Sequence, residues 1–109
     1  MSSRAIMRQL EREHLRLVVL RLLSEAMGRT ANTALLTDAV GLYGLAATRD
    51  QVETEVAWLE DQYLVVRAAT GRVIRVTASD DGLDVAAGRR VVSGIRVPSR
   101  EEGADGTQE

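Results

Sequence analysis

The sequence predicts an α+β chain, mainly α: three helices, then a β-hairpin, then a short last helix. Three observations carry that prediction. Thr48 and Gln51 stand in the S/T-x-x-E/Q relation of a capping box, in which two side chains reciprocally satisfy backbone N–H groups left open at a helix start. Leu45, Ala46 and Ala47 make a three-residue turn between that start and a preceding helix closed by Gly44. From Leu64 the pattern changes to β-branched residues around Thr70 and Gly71, where glycine can take the positive φ of a tight hairpin turn.

Ser2 or Ser3 can cap a first helix that runs to about Met27, with Gly28 as its stop. Its front half is amphipathic, with Ile6, Met7, Leu10, His14 and Leu17 on one side and Arg4, Arg8, Arg12 and Arg16 at four-residue intervals on another. From Leu17 to Leu23 it is apolar nearly all round and reads as the central core helix. A front end longer than one small domain needs points to a homodimer through the first helix, with Leu10 in the contact; packing on the chain's own last helix would serve the same face equally. The arginine stripe reads first as a solvated face paired with Glu11 and Glu13, and second as a track for phosphates. His14 is given no role.

Asn32 caps a second helix through Tyr43, with Leu35, Leu36, Ala39, Val40 and Tyr43 for burial. The third helix begins at Arg49 and places Val52, Val56, Leu59 and Tyr63 on one inward stripe. Its opposite side consists of Asp50, Thr54, Ala57 and Asp61. Trp58 lies on the flank, where it either packs partly against the hairpin or stands as an anchor for a protein partner. Ser79 caps a last helix through Arg90, with Asp80, Asp81 and Asp84 near its positive end and Arg89 and Arg90 near its negative end. Val91 to Pro98 reads as extended, and residues 99–109 as a disordered acidic tail beyond a single domain at 1–98. Helix, turn, helix and hairpin in this order make a winged helix-turn-helix.

These segments together resemble the small winged-helix regulators of ArsR, MarR and PadR type. The runs Ala57-Trp58-Leu59-Glu60-Asp61-Gln62-Tyr63-Leu64-Val65 and Asp81-Gly82-Leu83-Asp84-Val85-Ala86 resemble in particular the short ArsR-like proteins carried by Mu-like phages and prophages. The resemblance covers roughly Ile6 to Pro98 and implies a DNA-binding transcriptional regulator of phage or prophage origin. Tyr63 stands where such proteins often have a glycine, so the third helix is expected to end by a route other than a left-handed cap.

Composition sets the limits. With 109 residues, of which 45% are hydrophobic, the chain can bury one modest core. It has no cysteine and a single histidine, which excludes disulfides and the ordinary thiolate or histidine-rich metal sites, and no cofactor is expected. Arg16 and Arg21 interrupt the apolar run of the first helix, so no membrane span and a cytoplasmic address are expected. No phosphate loop, cysteine nucleophile or HExxH is present, so no enzyme is expected. All fourteen basic residues are arginine, yet the net charge is −2.

That charge is unevenly spread. From Thr48 to Tyr63 one arginine faces five acids, a segment charge of −4, and such a helix is repelled by the phosphates it would have to approach. The hairpin carries Arg67, Arg72 and Arg75 with no acid between Leu64 and Thr77. Double-stranded DNA would therefore be held by Arg67, Arg72 and Arg75 on phosphates, with Arg49 reaching a guanine edge and Thr54 a thymine methyl or phosphate. The alternative is a winged-helix protein-interaction module whose partner docks on the acidic third helix around Trp58.

Overall fold

Four side-chain caps start the four α-helices of the computed structural model, which describes residues 2–99. Ser2 caps α1 (Ser3–Glu25) by accepting from Ala5 N–H at 3.1 Å, and Asn32 caps α2 (Thr33–Leu42) by accepting from Leu35 N–H at 2.7 Å. The capping box at α3 (Arg49–Asp61) is complete: Thr48 Oγ1 accepts from Gln51 N–H at 3.1 Å, and Gln51 Oε1 accepts from Thr48 N–H at 2.8 Å. Ser79 caps α4 (Asp80–Ala86) by accepting from Gly82 N–H at 3.0 Å.

Three strands, β1 (Thr30–Asn32), β2 (Val65–Thr70) and β3 (Val73–Ala78), form an antiparallel sheet in the order β1-β3-β2. The fold is thus α+β and mainly helical. β2 and β3 pair from Val65–Ala78 to Thr70–Val73, leaving Gly71 and Arg72 as a two-residue loop with glycine leading at φ 62°. β1 is unexpected. Its three residues pair with Arg75 to Thr77 of β3, and Thr30 Oγ1 donates to the Val76 carbonyl at 3.0 Å; so short a strand has no periodicity to read.

The core gathers around the rear of α1. Leu17, Val19, Leu20 and Leu23 meet Leu36 and Val40 of α2, Val52, Val56 and Leu59 of α3, Leu64, Val65 and Val76 of the sheet, and Val85 of α4. Leu35 and Tyr43, expected in this core, are instead 58% and 50% exposed, because the inward stripe of α2 runs through Thr33, Leu36 and Val40. The front of α1 projects from this body, leaving Ile6, Met7 and Leu10 exposed; α4 covers only the rear. Among the described residues, no helix is long and apolar enough to cross a membrane.

Helix ends correct the sequence reading further. After α3, Tyr63 N–H donates to Glu60 O at 2.9 Å and Leu64 N–H to Leu59 O at 3.0 Å, the paired bonds of a Schellman motif. Tyr63 supplies its left-handed residue at φ 62°, so the helix ends by the glycine route without a glycine, and Tyr63 is 81% exposed and off the inward stripe. The cap of α4 holds it there: Ser79 Oγ donates to Tyr63 O at 2.8 Å, and Ser79 N–H to Leu64 O at 3.0 Å. α4 stops at Ala86, short of Arg90, where Gly88 makes the same motif. Beyond it the chain is not simply extended but turns at Ser93 and Gly94, with Ile95 N–H donating to Val92 O at 3.2 Å and Ile95 entering the core. The expected tail lies outside the described residues apart from Ser99.

Candidate nucleic-acid interface

The inward stripe of α3 fixes what its other side can show. With Val52, Val56 and Leu59 buried, Asp50, Thr54 and Asp61 are exposed and Ala57 half-buried. Thr54 Oγ1 donates to the Asp50 carbonyl at 2.9 Å, a back-bond within the helix, leaving its methyl and hydroxyl lone pairs outward.

Three of the five acids in this segment are matched by arginines. Glu53 accepts from Arg49 at 3.2 Å, Glu60 from Arg67 at 2.8 Å, and Glu55 from Arg16 at 2.7 Å. The last pair is buried, so Glu55 is no part of the outer surface. The exposed face therefore presents Asp50 and Asp61 rather than the whole charge of the segment, and the objection that the sequence raises against DNA is much reduced.

The same pairings spend some of the arginines expected at DNA. Arg67 is tied to Glu60 by its backbone N–H at 2.9 Å and by Nε and Nη2 at 2.8 Å; those hydrogen bonds hold the Glu60 carboxyl below the usual glutamate range. Arg49 spans from α3 to the hairpin tip, with Nε on Glu53 and Nη2 on the Arg72 carbonyl at 3.3 Å. Hence α3 braces the hairpin at both base and tip. Arg72 and Arg75 remain exposed, and among the described residues neither has a carboxylate within ion-pair distance.

Trp58 is half-buried and packs against the core. The Arg16 guanidinium lies 3.9 Å from its ring centroid, and Gly94 approaches so closely that a Cβ there would stand 2.8 Å from the ring. Arg16 Nη1 also donates to the Gly94 carbonyl at 2.7 Å. Arg16 thus leaves the arginine stripe for the core, which four-residue spacing alone could not reveal. Leu10, at 53% exposure, lies on the projecting part of α1, beside a small recess shared with Glu13, His14 and Arg96.

A cleft of about 600 Å³ opens between that projecting helix and α3. Arg8, Glu11 and Arg12 line one wall and Asp50, Gln51 and Thr54 the other.

No family model matches the chain, and no solved structure matches it. A Haemophilus influenzae protein described as "Uncharacterized protein" is 52% identical over 50 residues, which are 46% of this chain and 48% of that one. The Escherichia phage Mu protein described as "Uncharacterized protein gp26" is 37% identical over 86 residues, covering 79% of this chain and 88% of its own length. Over that span and at that identity, the chain belongs to the family of phage Mu gp26.

Proposed function

We propose that the protein is a winged helix-turn-helix DNA-binding protein, acting as a transcriptional regulator of phage type. In this reading α2 and α3 are the helix-turn-helix, α3 enters the major groove, and the β2–β3 hairpin is the wing. The observation that carries it is the pairing of Glu53, Glu55 and Glu60 with arginines, which leaves a recognition face with only Asp50 and Asp61 beside two uncommitted wing arginines. Phosphate attraction then falls to Arg72 and Arg75, while Arg67 on Glu60 and Arg49 on Glu53 and the Arg72 carbonyl brace the wing. Resemblance to ArsR-like phage proteins supports the same reading, while membership of the Mu gp26 family supports its phage character alone.

The test is binding of mixed-sequence duplex DNA, followed by fluorescence anisotropy at several salt concentrations. A protein that neutralises phosphates loses affinity steeply as salt rises. Absence of binding at low salt would sink the reading and leave the acidic third helix as a protein-docking face.

A further inference from the structure

We infer that the cleft between the front of α1 and the outward face of α3 seats one sugar–phosphate strand of duplex DNA, held by Arg8 and Arg12. The inference rests on the DNA-binding reading and adds a second pair of arginines to it. The pairing of the stripe with Glu11 and Glu13 that the sequence suggests is not formed. Instead Glu13 accepts from Gln9 Nε2 at 2.8 Å, and Arg12 Nη2 donates to Gln9 Oε1 at 2.7 Å. Among the described residues, no carboxylate lies within ion-pair distance of Arg4, Arg8 or Arg12.

Position makes these guanidiniums more than spare charge. Arg8 and Arg12 share a cleft with Asp50, Gln51 and Thr54, so a duplex brought against the outward face of α3 places a backbone strand beside them. Arg4 continues the same line. At a helical rise of about 1.5 Å per residue the three span about 12 Å, the axial rise of roughly three to four nucleotides of one strand. The neighbouring carboxylates of Glu11 and Asp50 oppose the attraction, and this gives the idea a second handle.

The experiment compares the wild type with Arg8→Ala/Arg12→Ala, Arg72→Ala/Arg75→Ala and Glu11→Gln on the same mixed-sequence duplex across a salt series. All these side chains are exposed, so circular dichroism should show the fold retained. The expected result is that Arg8→Ala/Arg12→Ala lowers the salt slope by about two while Glu11→Gln tightens binding. A wild-type slope in Arg8→Ala/Arg12→Ala, with binding lost through the hairpin variant alone, overturns the inference and leaves the DNA-binding reading standing. A wild type that binds no duplex at low salt overturns both.

Discussion

Arg16 Nε donates to Glu55 Oε1 at 2.7 Å, with the two side chains 9% and 6% exposed. A charge pair so deeply buried recovers its desolvation only while both members are present. Glu55→Ala should therefore cost about 3 to 5 kcal/mol of stability by urea unfolding, whereas Arg16→Met/Glu55→Leu should recover most of the loss. A Glu55→Ala protein as stable as wild type would mean that the pair is exposed in solution.

Tyr63 at φ 62° predicts a gain in stability. A left-handed backbone costs a non-glycine residue about 1 to 2 kcal/mol, and this side chain is mostly in solvent, so little packing is lost with it. Tyr63→Gly should raise stability by about 1 kcal/mol after allowing for the greater freedom of glycine in the unfolded chain, and β-branched Tyr63→Val should lower it. Thermal unfolding of the three proteins ranks them; Val above Gly would refute the assigned conformation.

Glu60 predicts a pH dependence with a definite sign. Its carboxyl is held below the ordinary 4.5, first by the Arg67 backbone N–H and then by the Arg67 side chain. The stabilisation is therefore present above about 4.5 and lost as pH falls through the lowered value. Glu60→Gln should be less stable than wild type at pH 7, with the difference shrinking once the pH drops below 4.5. Since the pair is partly exposed, the neutral-pH difference should be no more than about 1 kcal/mol. A gap that stays constant from pH 7 to 3 would show that the amide loses packing rather than charge.

Gly82 sets local propensity against packing. Inside a helix, alanine is preferred to glycine by about 1 kcal/mol, yet a Cβ at Gly82 would overlap the Leu64 carbonyl oxygen and crowd Leu20. Gly82→Ala should accordingly destabilise by about 1 to 3 kcal/mol, the range of an overpacked core. Equilibrium unfolding gives the sign directly.

Legible in the sequence is whatever is decided within one turn of chain. Asn32, Thr48 and Ser79 announce their helices because each cap is completed three residues away, and Gly71 announces the hairpin because the loop needs its backbone. Arginine partners lie beyond the reach of that logic. Arg16 and Glu55 are 39 residues apart, and Arg67 meets Glu60 only because α3 turns back into β2 at Tyr63. Counting charges along α3 therefore overstates the acidity of its surface, and counting them along the hairpin overstates its basicity. Tyr63 shows the converse error: a missing glycine suggests a missing cap, whereas the bonds from Ser79 hold the tyrosine in the same shape.

Gly94 has a bearing on how distant parts of the chain are joined. Arg16 belongs to α1, but its guanidinium is completed by the Gly94 carbonyl, 78 residues further along the chain. The bond therefore spans a long loop whose closure costs chain entropy, so the turn at Ser93 and Gly94 joins α1 only once the chain between them is in place.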